Sequence, residues 1–274
     1  MTTSTEISTS LKEFRNLMQI ITVSIRDLDS QLGSYGASRQ NNSKFLTELN
    51  EQDYLYRMNL FSAYYNIDQK EIEPLIKLQK SQRTAACKEK GVNGYIIRTL
   101  FDYNRYMQCY MLHNFLFRRL TLKGKNLLDF GCLVADYGFY FGMLKMKITL
   151  CDIKDHIEFA RYRLSRANID SVNFYAPADY SEVTKDQDVA VFGEVLEHLT
   201  DPYLLLESCV KNNVSYIYTT MYPYGDDYYF SAPGHTKEAK EQAPACIELL
   251  RAHYLEFNLL ENTTVWMKKG IGQF

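Results

Sequence analysis

The sequence predicts an α/β fold: a mostly parallel sheet whose strands alternate with helices, ending in an antiparallel C-terminal hairpin and preceded by a helical N-terminal extension. Three observations predict it. Between Asn126 and Leu199 the segments NLLDFGC, ITLCDI, APADYS and DVAVFGEVLEHL follow one another, with apolar runs ending in acidic or glycine-containing turns and helical stretches between them. LEFNLL and TTVWMKK, separated by Glu261 and Asn262, read as two strands joined by a tight turn. Residues from about Lys44 to Leu120 carry the three-to-four-residue apolar period of helices.

At the N-terminus, Ile7, Leu11, Phe14, Met18, Ile21, Ile25, Leu28 and Leu32 alternate in steps of four and three, a heptad seam ended by Gly33 and Gly36. The seam is read either as a coiled coil that makes a homodimer or as an amphipathic helix lying on its own domain. SRQNNSK then reads as a loop. Three helices are expected before the sheet, broken near Asp68 and near Gly91–Gly94, with Gly124 closing the helical part. This divides the chain into residues 1–123, a helical extension covering the active site, and residues 124–274, a ligand-binding sheet domain. Strands are expected at Asn126–Phe130, Lys147–Cys151, Val172–Tyr175, Asp188–Phe192 and Ser215–Thr219. Helices are expected at about Asp136–Leu144, about Asp155–Asn168, from near Pro202, where proline is tolerated, and over Glu238–His253, restarted or kinked at Pro244.

Composition bounds the function. The chain has 274 residues, 46% of them apolar, enough for a sizeable core, and its net charge of −2 argues against nucleic acid as the main partner. The local basic clusters Arg118, Arg119, Lys123, Lys125 and Arg161, Arg163, Arg166 read as solvated helix faces. No run is long enough to span a membrane, and MTTSTEISTS lacks the features of a signal peptide. Six scattered cysteines, with no CxxC pair, read as free thiols of a cytoplasmic protein. The 22 tyrosines, many before the sheet and many in or after the fifth strand, are read mainly as packing. A ring carrying a hydroxyl would also suit a polar ligand such as a sugar.

Open α/β sheets bind ligands outside the carboxyl ends of their strands, and the chemistry-bearing residues fall there. Asp129, Gly131, Cys132, Leu133 and Ala135 occupy the first strand-to-helix turn, where close approach of backbone to a ligand favours glycine. Asp152, 23 residues after Asp129, and Ile153 end the second strand, where a carboxylate can accept from ribose hydroxyls. Asp179, after the third strand, could accept from an adenine amino group with Tyr180 against the ring. Gly193 and Glu194 end the fourth strand.

On these residues the chain resembles the class I S-adenosylmethionine-dependent methyltransferases over roughly Asn126 to Lys269. The resemblance rests on Asp129, Asp152, Asp179 and EVLEHL in order and spacing. It implies a Rossmann-like, mostly parallel seven-stranded sheet with S-adenosylmethionine as cofactor. The chain departs from the family's G-x-G-x-G turn, with Leu133 and Ala135 at the second and third glycine positions, so Leu133 puts a side chain into the loop that wraps the cofactor's methionine part. Glu194, Glu197 and His198 would share one face if EVLEHL opens a helical turn. With His235, from SAPGHTKEA, they resemble the metal set of plant-type small-RNA 2′-O-methyltransferases and of ubiquinone-biosynthesis O-methyltransferases, which implies Mg²⁺ or Mn²⁺. In the alternative, Glu194 faces the cofactor, and Glu197 and His198 are structural or contact substrate. Without a metal, His198 or His235 would be general base, and His113, His156 and His253 read as ordinary histidines.

The expected activity is O-methylation of a small hydroxylated acceptor, a nucleotide-linked sugar or glycan unit first, with the loop Met221–Tyr229 on the acceptor side and Asp226 and Asp227 recognising hydroxyls. A phenolic or quinone-precursor acceptor, an RNA 2′-hydroxyl, and a non-catalytic methyltransferase-like interaction protein are the alternatives.

Overall fold

The computed structural model describes residues 54–78, 80–101, 104–220, 222–225, 227–232, 234–260 and 263–271. The heptad seam, Met221 and Asp226 lie outside the described residues. Two compact units divide the chain, one ending at Phe101 and the other beginning at Asp102.

In the first unit, residues 54–65 are helical (α1), followed by α2 (Gln69–Lys77), α3 (Lys80–Glu89) and α4 (Gly94–Leu100). The expected breaks near Asp68 and Gly91–Gly94 are present for local reasons. The Asp68 carboxylate accepts from Lys70 N at 2.8 Å and caps α2, and Asn93 accepts from the amides of Tyr95 and Ile96 and caps α4. With α5 (Asn104–Phe117) in the second unit, the described residues hold five helical segments where three helices were expected. One extra break falls at Leu78, whose backbone is extended. There the Arg83 guanidinium takes the carbonyls of Leu75, Ile76 and Leu78, ending α2 in a way that apolar periodicity does not report.

The second unit holds β1 (Asn126–Phe130), α6 (Asp136–Met143), β2 (Lys147–Asp152), α7 (Lys154–Arg166), β3 (Ser171–Tyr175), α8 (Tyr180–Val183), β4 (Val189–Phe192), a 3₁₀ turn (Leu196–His198), α9 (Pro202–Lys211), β5 (Tyr216–Thr220), α10 (Asp227–Phe230), α11 (Lys237–His253), β6 (Tyr254–Leu260) and β7 (Thr263–Lys268). The seven strands form one sheet in the order β3-β2-β1-β4-β5-β7-β6. β1 to β5 run parallel, while β7 pairs antiparallel with β5 and with β6. Each parallel strand lies within one residue of its expected bounds at either end. The central strands β4 and β5 are buried throughout, as a sheet covered on both faces requires. Trp266 of β7 is fully buried, and its indole N–H donates to Thr219 Oγ1 of β5 at 3.2 Å, pinning the hairpin to the sheet.

Two expectations are corrected. α11 runs uninterrupted through Pro244 rather than restarting there; the proline lies on the exposed face, away from the core. Arg163 is fully buried rather than on a solvated face, because it shares the inward face of α7 with Ile157, Ala160 and Leu164. Among the tyrosines, Tyr216, Tyr218 and Tyr222 are core residues, as the packing reading has it. All six cysteines are buried free thiols. No helix among the described residues is long and apolar enough to cross a membrane.

Candidate active site

The strand order reverses between β1 and β4, and the crevice outside their carboxyl ends is where such sheets take ligands. The turn after β1 forms one wall. Gly131 (φ +68°) donates its amide to Cys151 O at 2.8 Å. A Cβ at Gly131 would stand 2.4 Å from Val195 Cγ2, so glycine is required here by both backbone and space. Leu133 (φ +48°) and Ala135 (φ +54°) keep the left-handed backbone that glycine would adopt, at about 1–2 kcal/mol each for an L-residue.

Charged side chains hold this turn in place. The buried Asp129 carboxylate accepts from Gly138 N at 2.9 Å and so caps the first turn of α6, whose own N-cap residue, Ala135, makes no side-chain cap bond. Asp152 accepts from Leu133 N at 2.8 Å and from Ile153 N at 2.7 Å. Arg163 reaches across from α7 to Val134 O and to Asp136 Oδ1, both at 2.7 Å. A strained backbone persists where its surroundings over-determine it, and here the hydrogen bonds of Asp129, Asp152 and Arg163 do so.

This arrangement makes a direct test of the non-glycine turn. Leu133→Gly removes left-handed strain of about 1–2 kcal/mol but adds unfolded-chain entropy of about 0.4–1 kcal/mol, so the two largely offset and stability should change by less than about 2 kcal/mol. The backbone can then approach a ligand closely, and affinity for S-adenosylhomocysteine should rise several-fold, measured by calorimetry. Weaker binding would show that the Leu133 side chain is itself part of the site.

The other predicted cofactor residues are placed as follows. Cys132 is buried, and its thiol is pushed well above its ordinary pKa by burial and then by the charges of Asp129 and Asp152. Ile153 is 49% exposed, a bare apolar side chain beside Asp152. Asp179 is exposed and caps α8 by accepting from Ser181 N and Oγ, both at 2.8 Å, which holds its carboxyl below the usual range. Tyr180 packs edge-on to Phe130 at 6.0 Å. Gly193 is buried with the Tyr137 ring close by, where an added Cβ would stand 3.1 Å from it. The reading of His156 as an ordinary histidine missed a partner: its Nδ1 lies 2.9 Å from Asp152 Oδ1. The i,i+4 spacing of Asp152 and His156 carries that signal in the sequence.

On the other side of the crevice, EVLEHL does not open a helical turn at Glu194. Glu194 is left-handed (φ +56°), exposed, and donates its amide to Thr220 Oγ1 at 2.8 Å; the turn begins two residues later, at Leu196. One potential ligand atom from each of Glu197, His198 and His235 lies within 4.8 Å of the others. Glu194 is outside this group, although its charge reaches both Glu197 and Tyr229.

The group is assembled by the loop that precedes α11. Thr236 donates its amide to Glu197 O at 2.9 Å and its hydroxyl to Leu199 O at 2.6 Å, and Thr236 Oγ1 accepts from Ala239 N to cap α11. His198 Nδ1 lies 2.8 Å from Gly234 O. A carbonyl can only accept, so Nδ1 carries a proton, and in the neutral ring Nε2 is the nitrogen left with a lone pair. The His198 and His235 rings meet edge-on at 4.9 Å, and Tyr229 lies 4.6 Å from His235.

Burial raises the Glu197 carboxyl above its ordinary pKa, against the Tyr229 hydroxyl and His198, which favour the charged form. Burial, and then His198 whenever it is protonated, hold His235 below the usual imidazole value. Glu197 Oε2 and His235 Nδ1 are buried without a hydrogen-bond partner. Buried polar atoms are seldom left so. Ligands about 2.1 Å from a divalent cation stand about 3.0–4.2 Å apart, so a carboxylate and two imidazoles at this separation fit such an ion with little adjustment.

No family model and no curated protein sequence matches the chain. Among solved structures, the chain is similar to the PH0226 protein from Pyrococcus horikoshii OT3, at 15% identity over 61% of this chain and 92% of that one, TM-score 0.43. It is similar to magnesium protoporphyrin IX methyltransferase from Synechocystis PCC 6803 with bound SAH, at 11% identity over 59% and 79%, TM-score 0.43. It is also similar to the N-terminal domain of EvdMO1 in the presence of SAH and D-fucose, at 11% identity over 61% and 84%, TM-score 0.42.

Proposed function

We propose that the chain is an S-adenosylmethionine-dependent O-methyltransferase for a small hydroxylated acceptor, with Glu197, His198 and His235 holding a divalent cation, Mg²⁺ or Mn²⁺, beside the acceptor. The observation that carries the reading is the convergence of these three side chains at the carboxyl edge, two of them with orphaned buried polar atoms, across the switch point from the acidic turn after β1. On the cofactor side, Asp152 offers a carboxylate already oriented by Leu133 N and His156, and Ile153 offers an exposed apolar surface for a base.

S-adenosylmethionine, when bound, brings a methyl group on a strong leaving group, so the chain's task is positioning and deprotonation. The cation, when bound, lowers the pKa of a ligated hydroxyl. His198 is held in one tautomer by Gly234 O, the outer-shell bond that orients metal-ligating histidines. Low basicity keeps His235 neutral and able to donate a lone pair near neutral pH. Carboxylates at the crevice, with Glu194 exposed at its edge, suit acceptor hydroxyls and disfavour phosphates. A sugar is therefore the first acceptor class, and a phenol is the second.

Titration of S-adenosylhomocysteine into the protein in EDTA should give micromolar binding. Adding Mn²⁺ should then raise the melting temperature in the wild type and not in a His235→Ala variant, and methyl transfer to a sugar panel should require the metal. No binding of S-adenosylhomocysteine would remove the methyltransferase reading. Binding without a Mn²⁺ response would leave His198 Nε2 as the base and remove the metal.

A further inference from the structure

We propose that the amino-terminal edge of the sheet carries a second ligand site, for a nucleoside phosphate, in the cavity bounded by His113, Phe117, Arg118, Arg119, Lys123 and Leu144. The cavity has a volume of about 590 Å³, within the range of small-molecule sites and far larger than one inorganic anion needs. It lies where α5 ends and the chain turns into β1, and where α6 ends. The candidate active site is at the other end of the same strands, about 16 Å away along β1 at 3.3 Å per residue. The inference does not rest on methyl transfer.

Charge names the first half of the ligand. Arg118, Arg119 and Lys123 border one cavity, and none of them is in an ion pair among the described residues, whereas nearby Lys125 is paired with Asp188 at 3.0 Å. Arg119 is pre-organised: its Nη1 donates to Phe115 O at 2.9 Å, and its guanidinium carbon lies 3.9 Å from the Phe115 ring centre. A guanidinium with one donor used keeps four for an anion, and such fixed forks match phosphate oxygens. The cations also complement the C-terminal end of α5, but that role needs no cavity.

The apolar part names the second half. Phe117 is 70% exposed at the cavity wall, and its ring stands 5.7 Å from His113. The His113 ring is fixed by the Tyr140 hydroxyl at 3.2 Å, and its burial favours the neutral form. Two rings beside three cations present a stacking surface next to a phosphate cradle, the combination a base joined to phosphates would use.

The test is calorimetric titration of ADP, pyrophosphate and adenosine into the full chain at about 0.15 M salt, where loose surface attraction is screened, with S-adenosylhomocysteine present to occupy the other end. ADP should bind at least tenfold tighter than either fragment. Arg118→Glu with Lys123→Glu should weaken ADP at least tenfold, Phe117→Ala should bring ADP down to the level of pyrophosphate, and Lys185→Glu, an exposed charge elsewhere, should change nothing. These are exposed positions, so the variants should fold, as circular dichroism would check. Absence of ADP binding, equal affinity for ADP and pyrophosphate in the wild type, or ADP binding unchanged in the charge-reversed variant would each overturn the proposal.

Discussion

Replacing Arg163 by methionine should destabilise the protein by about 3–5 kcal/mol, the usual cost of removing one partner of a buried ion pair. Arg163 is fully buried, with Nη1 shared between Val134 O and Asp136 Oδ1 and its guanidinium carbon 4.6 Å from the Phe139 ring centre. Methionine fills the volume but leaves the Asp136 carboxylate, also buried, without its cation. The double variant Arg163→Met, Asp136→Asn should recover much of the loss, because the stranded charge is gone; this non-additivity separates the pair from simple packing. The turn that Arg163 restrains contains two left-handed non-glycine residues, so its release should also weaken S-adenosylhomocysteine binding even where the protein stays folded. Urea denaturation gives the first effect and calorimetry the second. A loss below about 1 kcal/mol in the single variant would show that Asp136 finds other partners and that the turn is held without Arg163.

The sheet was legible because most of its parallel strands are written as short continuous apolar runs, three of which stop at Gly131, Asp152 and Gly193, while β3 and β5 each run into a proline two residues on or more, Pro177 and Pro223. The hairpin was legible from the interruption at Glu261–Asn262. The site was legible in part. Of the four residues read as a metal set, Glu197, His198 and His235 come within reach of one another and Glu194 stands apart, since a left-handed residue at the strand end is a backbone property that no side-chain spacing reports. The substitutions at Leu133 and Ala135 were visible as letters, whereas the persistence of glycine-like backbone at both was not. It depends on partners such as Arg163, distant in sequence and read there as one of three arginines on a solvated face. His156 shows the opposite case, where a local spacing was present and its consequence for Asp152 went unread.

Glu197→Gln should separate folding from function at the candidate metal centre. The Glu197 carboxyl is 2% exposed, and burial above all disfavours its charged form, with the Glu194 charge adding to it. Its folded-state pKa is raised, so the folded protein holds the proton more firmly than the unfolded chain. The linkage sign follows: stability is highest below the ordinary glutamate pKa and is lost as pH rises through the raised folded-state value. An amide of the same shape carries no such charge, so in EDTA at neutral pH the variant should be more stable than the wild type, by on the order of 1 kcal/mol. Mn²⁺ inverts the comparison, because a bound cation favours the carboxylate and stabilises the state that binds it. The wild type should gain melting temperature with Mn²⁺ while the variant does not. Methyl transfer by the variant should fall by about 10²–10⁴, the span of an acid–base or hydroxyl-activating contribution. Differential scanning calorimetry with and without the metal, across pH 5 to 8, reads all but the last. A variant less stable than the wild type in EDTA would show that the Glu197 charge is already compensated, by Tyr229 and His198 alone, and would remove the reason for a cation there.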